Sequence, residues 1–189
     1  MVEAKVVLLG ATSVGKTCIV TRAISDLFDN DQIPTIGASF STKKIDVDGT
    51  EVTLRIWDTA GQERFRSLTP MFYQGSQAAL IVFSLIAPDT LDEVVGWIDS
   101  LREYTNPMPN LYIVGNKLDL VGEHNEITEK AEEIADKYRA KFFETSARAG
   151  NGIADLFADV AASIRNKVES SQVEQIIVVS DNQNKKSCC

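Results

Sequence analysis

The chain has 189 residues, with 27 acidic against 19 basic side chains and a formal net charge of -8. That length suits one domain with a sizeable core, and 44% hydrophobic with 24% charged residues is an ordinary soluble balance. The acidic excess argues against a nucleic-acid binder. It leaves room for a phosphate binder, because backbone amides and one lysine can hold a phosphate locally.

The opening Met1–Thr17 has no charged start, long apolar run and cleavage site of a signal peptide, and no stretch reaches roughly 18 consecutive apolar residues. With three cysteines in all, the expected address is the reducing cytosol. The first predicted element is a buried strand, Lys5–Gly10. It leads into Gly10–Thr17, "GATSVGKT", which fits Gly-x-x-x-x-Gly-Lys-Ser/Thr between a strand and a helix. Gly10 and Gly15 let the backbone curl so that successive N–H groups meet one anion, and the helix N-terminus adds its dipole. Lys16 reaches the outer phosphates and the Thr17 hydroxyl can ligate Mg²⁺. Cys18, in the apolar helical stretch that follows, reads as a small buried hydrophobe. Beyond that helix Phe28 either covers the edge of a base or packs as a core or loop aromatic. Thr35, in "PTIGASF", offers a second hydroxyl to Mg²⁺.

Phe40–Asp58 predicts two strands joined by an Asp48-Gly49 hairpin turn. "WDTAGQE" closes the second of them. Asp58 can hold the metal through a water molecule, Gly61 offers an N–H to a terminal phosphate, and Gln62 can orient a water for in-line attack. Strand Ala78–Leu85 precedes a helix whose Leu91, Val94, Val95, Ile98 and Leu101 share one face.

Strand Leu111–Asn116 ends in "NKLD", which supplies base chemistry. The Asp119 carboxylate accepts two hydrogen bonds from the N1–H and 2-amino group of guanine. Adenine lacks that pattern and would leave a charged acceptor unpaired, a penalty of roughly 1–3 kcal/mol or more. Lys117 can lie along the base plane and Asn116 can tie this loop to others. A helix capped by Thr128, with Glu129, Glu132 and Glu133 in its early turns, comes next. Strand Lys141–Ala147 ends in Thr145-Ser146-Ala147, whose backbone N–H suits the guanine O6. A last helix carries Ile153, Leu156, Phe157, Val160 and Ile164 on one side. Strand-helix alternation predicts an α/β fold with a six-stranded, mostly parallel sheet, one antiparallel strand and helices on both faces. Ligands of such sheets bind at the carboxyl ends of the strands.

From about Asn166 the composition turns to Ser, Gln, Asn and small charges, which predicts a flexible tail. Within it Ile176–Val179 is either a docked extension or an apolar handle for a partner. The chain closes on Lys185-Lys186-Ser187-Cys188-Cys189. Neighbouring α-carbons lie about 3.8 Å apart, short of the roughly 4.4–6.8 Å that a disulfide spans, so these two cysteines are not expected to pair.

The segments at Gly10, Thr35, Trp57, Asn116 and Thr145, in this order, resemble the Ras-like small GTPases. "WDTAGQERFRSLTPMFYQGSQAALIVF" (Trp57–Phe83) is similar to the Rab family, and "TIGASF" resembles its early-endosomal branch. The resemblance covers about residues 5 to 166. It implies the P-loop GTPase fold over residues 1–166, followed by a tail over 167–189. It also implies a slow GTP/GDP switch with Mg²⁺ that recruits effectors in membrane traffic. The nucleotide-binding set carried over is Ser13, Val14, Gly15, Lys16, Thr17, Cys18, Phe28, Thr35, Gly61, Asn116, Lys117, Asp119, Ser146, Ala147 and Arg148. Gln62, Lys16 and Thr35 carry the catalytic roles, and Thr17, Thr35 and Asp58 the metal. Thr35 marks the first switch and Gly61 to Gln74 the second.

By the same likeness Cys188 and Cys189 receive geranylgeranyl groups, since the ending does not match a Cys-a-a-X box. One lipid chain binds only marginally and two anchor stably. A coil of the tail's length spans roughly 25 Å, and Lys185 and Lys186 would add about 1 kcal/mol each on an anionic leaflet. The implied partners are an exchange factor, a GTPase-activating protein, an escort or GDP-dissociation inhibitor and effectors. The implied setting is the cytoplasmic face of an endosomal membrane, with a monomeric protein.

Three positions depart from the family pattern. Thr12 crowds the space beside the terminal phosphate, Arg148 replaces a lysine, and Phe72 replaces a tyrosine in an aromatic triad with Phe40 and Trp57. Two rival functions share the phosphate loop. A P-loop phosphotransferase would need an arginine-rich lid, which the sequence does not display. A binding module that holds GTP without hydrolysing it fits Thr12 but not Gln62.

Overall fold

The computed structural model describes residues 1–61, 69–122 and 126–184, with the side chains of 69, 70 and 171–184 left aside. Gln62, Cys188 and Cys189 therefore lie outside the described residues. In chain order the elements are β1 (Val2–Leu9), α1 (Lys16–Ser25), β2 (Ala38–Val47), β3 (Thr50–Thr59) and α2 (Thr69–Tyr73). They continue with β4 (Ala78–Ser84), α3 (Asp89–Tyr104), β5 (Asn110–Asn116), a 3₁₀ turn (Leu118–Leu120), α4 (Glu126–Tyr138), β6 (Lys141–Glu144) and α5 (Ile153–Asn184).

The sheet order is β2-β3-β1-β4-β5-β6, antiparallel only between β2 and β3. The antiparallel pair follows from the hairpin. Asp48 (φ 49°) and Gly49 (φ 79°) both take positive φ, the requirement of a tight two-residue turn that keeps the strand twist. Among the parallel strands β4 is buried at every position and β5 at all but its first, because both faces are covered at the centre of the sheet. In β1, Val6 and Leu8 face one core with Val160 and Ile164 of α5 and Ile19 of α1, while Val7 and Leu9 face another with Leu91, Ile98 and Leu101 of α3. Each fully buried side chain of this size contributes about 1.5–3 kcal/mol.

This arrangement matches the expected fold class. The differences lie at element ends. Helix α4 begins at Glu126, so Thr128 is inside it rather than its cap, and its hydroxyl donates instead to Glu144 Oε1 at 2.7 Å. Strand β6 stops at Glu144; the Thr145 N–H still bonds Gly115 of β5, but the Ser146 N–H turns away to Asn151. The tail expected to be flexible coil from Asn166 is helical to Asn184. No glycine or proline falls between 153 and 184 to interrupt it. Ile164 is the last core residue of that helix among those whose side chains are described.

The C-terminal ends of β1, β3, β4 and β5 and the loop after β6 lie along one edge of the sheet. The phosphate loop, Asp58, Asn116 to Asp119 and Thr145 to Ala147 sit there.

Candidate functional site

The loop between β1 and α1 is shaped by its glycines. Gly10 has φ 135°, and a Cβ there would lie 2.0 Å from the Val82 carbonyl oxygen. Gly15 has φ 97°, and a Cβ would meet Asn116 Nδ2 at 2.3 Å. No other residue fits either place. Lys16 folds back over this loop and its Nζ donates to the carbonyls of Gly10 (2.9 Å) and Ala11 (2.7 Å). Only 6% of Lys16 is exposed, and burial lowers its pKa to about 8, against partial compensation from Asp58 and Glu93.

Beside it lies a cluster of oxygens. Thr17 Oγ1 donates to Asp58 Oδ2 at 2.6 Å, and the Thr17 and Thr35 hydroxyls are 2.8 Å apart. Thr35 and Ser39 approach the same Oδ2 at 3.4 and 3.5 Å. Asp58 is 1% exposed, and its Oδ1 is buried without a hydrogen-bond partner among the described residues. Burial raises the Asp58 pKa, opposed by the Thr17 hydroxyl, the Lys16 charge and the other two hydroxyls. The donor set fits a hard divalent cation. Cis ligands of an octahedron with bonds of about 2.1 Å stand about 2.9 Å apart, close to the Thr17–Thr35 separation, and the orphaned carboxylate oxygen is the acceptor a metal-bound water needs.

Asn116 joins this end of the site to the other. Its Nδ2 donates to the Val14 carbonyl (2.9 Å), and its Oδ1 accepts from the Ala147 N–H (3.1 Å) and the Thr145 hydroxyl (3.3 Å). Lys117 takes φ 71°, which turns the chain into the 3₁₀ turn carrying Asp119. Ser146 Oγ donates to Asp119 Oδ1 at 2.5 Å and accepts from the Ala149 N–H at 2.9 Å, so a loop after β6 fixes the carboxylate after β5.

One cavity of about 380 Å³ runs from the phosphate loop to this carboxylate, within the size range of ligand sites. Ser13, Gly15, Lys16, Thr17, Cys18, Phe28, Thr35, Gly61, Asn116, Lys117, Asp119, Ala147 and Arg148 all line it. Of the expected set, Val14 and Ser146 act from behind the wall, through the bonds to Asn116 and Asp119. Asp58 stands under Thr17, and Gln62 lies outside the described residues. Cys18 is half-buried, packs against the core and touches the cavity, and so does Phe28. Thr12 lines the cavity beside Ser13. Phe40 and Trp57 meet edge-on at 5.4 Å, and Trp57 and Phe72 lie 6.0 Å apart, with Phe40 exposed on the outer face.

Sequence reasoning missed four contributions. Asn30, Gln32, Ile33 and Pro34 form the wall before Thr35, and only their position ahead of that residue hints at it. Leu120 closes the far end. Ser39 reaches Asp58 because it pairs directly opposite on β2, a register that the hairpin turn already sets. Arg22 on α1 holds the loop after β6 by two carbonyls, for which the sequence carries no signal.

Comparison with known proteins agrees with this geometry. A model described as "Ras family" matches residues 5–166. The chain is 41% identical to Ras-related protein Rab-21 of Homo sapiens over 171 residues, 90% of this chain and 75% of that one. It is equally similar to the Canis lupus familiaris protein of the same name, at 41% over 171 residues. It is 43% identical to Ras-related protein Rab-22A of Homo sapiens over 162 residues, 86% of this chain and 84% of that one.

Proposed function

The chain belongs to the Rab branch of the Ras family of small GTPases, and from that premise we propose that it is a lipid-anchored switch on an endosomal membrane. As a member of that family it binds GTP and GDP with Mg²⁺ and hydrolyses GTP. In the GTP state it recruits effectors in vesicular traffic, and hydrolysis to GDP and phosphate ends the signal. The observation that carries the reading is the single cavity shared by Lys16, Thr17, Thr35 and Gly61 at one end and by Asn116, Lys117 and Asp119 at the other.

Each residue has a role its chemistry supports. Lys16, already desolvated, presents its ammonium to the outer phosphate oxygens in place of the Gly10 and Ala11 carbonyls. The N–H groups of Ser13 to Cys18 line the phosphate path at the start of α1, where the dipole favours negative charge. Thr17 and Thr35 would ligate Mg²⁺ through their hydroxyls, and Asp58 would hold it through water. Bound there, the cation neutralises charge that develops on the transferring phosphoryl group. Gly61 keeps the approach to the terminal phosphate open: a Cβ there would lie 2.6 Å from Lys16 Nζ and 2.4 Å from the Ala11 carbonyl. Gln62, next in sequence, orients the attacking water. Asp119 accepts from guanine N1–H and the 2-amino group, Lys117 lies along the base, the Ala147 N–H would be shared between O6 and its present acceptor Asn116 Oδ1, Arg148 follows it in the wall and Phe28 covers the base edge.

Residues 1–166 form the GTPase domain and 167–189 the tether, with geranylgeranyl groups on Cys188 and Cys189. Among the described residues no helix is long and apolar enough to cross a membrane. A helical tether would be stiffer than a coil and would hold the domain farther out, at about 1.5 Å per residue. An escort or GDP-dissociation inhibitor would take up the lipids off the membrane. The exchange factor, GTPase-activating protein and effectors would meet the monomer at the segments around Thr35 and after Gly61, beside Phe40, Trp57 and Phe72.

Fractionation of cells expressing the full chain tests this reading. The wild type is expected in the membrane pellet, Cys188→Ser/Cys189→Ser in the soluble fraction and each single substitution in between. A double variant that stays in the pellet overturns lipid anchoring.

A further inference from the structure

The loop after β6 carries two parts of the proposed base site: the Ala147 N–H and the Ser146 hydroxyl that orients Asp119. Within the loop the Ser146 N–H bonds the Asn151 carbonyl and the Ser146 carbonyl accepts from Gly150, while the Ala147 and Arg148 carbonyls are held from outside it, from α1. Arg22 Nε donates to the Ala147 carbonyl at 2.8 Å, and a second guanidinium nitrogen donates to the Arg148 carbonyl at 2.7 Å. The third nitrogen donates to the Asp26 carbonyl at 2.7 Å and to its carboxylate at 3.1 Å. The Arg22 side chain is 16% exposed; its charge-assisted bond to the Ala147 carbonyl is partly buried, while those to Arg148 and Asp26 lie at the surface.

The planar fork matters here. It spans two consecutive carbonyls and sets the direction of the Ala147–Arg148 peptide, which a single point donor cannot do. Asp26 closes the far side of the fork. It takes the left-handed conformation at the end of α1 (φ 56°), and its N–H returns to the Arg22 carbonyl. The helix that begins in the phosphate loop thus ends by gripping the base loop.

We propose that Arg22 is a positioning residue for guanine recognition, holding the Ser146–Arg148 loop so that Asp119 and the Ala147 N–H converge on the base. This rests on the reading of Asp119 and Ala147 as the base site. Loss of the fork leaves the Ala147 and Arg148 carbonyls to water and lets Ser146 drift from Asp119. The loss is felt most by a base that gives Asp119 two donors. Guanine gives two, and hypoxanthine, without the 2-amino group, gives one.

Release of labelled GDP and IDP from the full chain, wild type against Arg22→Ala and Arg22→Lys, tests the inference. For Arg22→Ala, GDP release is expected to quicken about tenfold and IDP release only about threefold. Their ratio, which general loosening would not move, then narrows. Arg22→Lys, with one point charge, falls between the two and keeps the test alive if the alanine variant does not fold. Asp26→Asn, which leaves both loop carbonyls gripped, keeps the wild-type rates. Unchanged GDP release in Arg22→Ala, or an equal quickening for both nucleotides, overturns the inference. A wild type that releases GDP and IDP equally fast overturns the base site itself.

Discussion

Thr17 Oγ1 donates to Asp58 Oδ2 at 2.6 Å, while the other oxygen of the same carboxylate is buried with no partner among the described residues. A buried carboxylate with half its capacity unused is costly, and burial accordingly raises its pKa. The same geometry fits a hydrated cation that takes the Thr17 hydroxyl as ligand and satisfies Oδ1 through water.

Chelation of divalent cations is therefore expected to speed GDP release by roughly tenfold or more. Asp58→Ala should abolish that sensitivity, with fast release in both conditions. A wild type whose release rate ignores chelator would remove the cation from this site.

Lys16 sets a pH dependence. Its folded pKa of about 8 lies below the ordinary lysine value, so burial opposes its charge in the free protein. Below about pH 8 the lysine is charged in both folded and unfolded chains and the penalty is fully present. Between pH 8 and about 10.4 the folded chain has lost the proton and the unfolded chain has not, so stability of the free protein rises with pH. Nucleotide binding works the other way, because phosphate oxygens need the charged form. From pH 7.0 to 8.8 GDP affinity should fall about sevenfold, the change in protonated fraction for such a group. Lys16→Met should bind weakly and flatten that profile. Titration calorimetry at the two pH values checks it.

Asn116→Ala removes three hydrogen bonds at once and strands the buried Val14 carbonyl and Ala147 N–H. The expected loss is about 2–4 kcal/mol of stability, read by denaturant unfolding. Nucleotide affinity should fall with it, because both ends of the cavity meet at this side chain.

Asp119→Asn replaces an acceptor by a group that also donates. Xanthine carries an oxygen where guanine carries the 2-amino group, so the variant should prefer XDP over GDP in competition binding. The Ser146 hydroxyl can still donate to the amide oxygen, which limits any structural cost. A variant that keeps its preference for GDP would take Asp119 out of base reading.

Most of the sheet was legible in the sequence because its signals are local. Apolar runs such as Ala78–Leu85 cannot be exposed, and Asp48-Gly49 admits little but a hairpin. Lys16, Thr17 and Asn116 were legible because short spacing constrains them. Arg22 was not, because its carbonyl partners lie 125 and 126 residues away and backbone carbonyls leave no trace in sequence. The Thr128 cap failed because a hydroxyl that suits a cap was drawn to Glu144, on a strand 16 residues further on. The helical course of the tail was hidden by composition. Ser, Gln and Asn resemble a disordered stretch, yet nothing between 153 and 184 stops a helix already nucleated on the core.

Release of phosphate in a single turnover, from protein loaded with GTP and Mg²⁺, is the most direct test of a hydrolysing switch. Slow release from the wild type and release slowed by roughly tenfold or more in Gln62→Leu is the expected result. No release from the wild type with GTP still tightly bound, with Thr12 crowding the terminal phosphate, or equal release from the two proteins would contradict it.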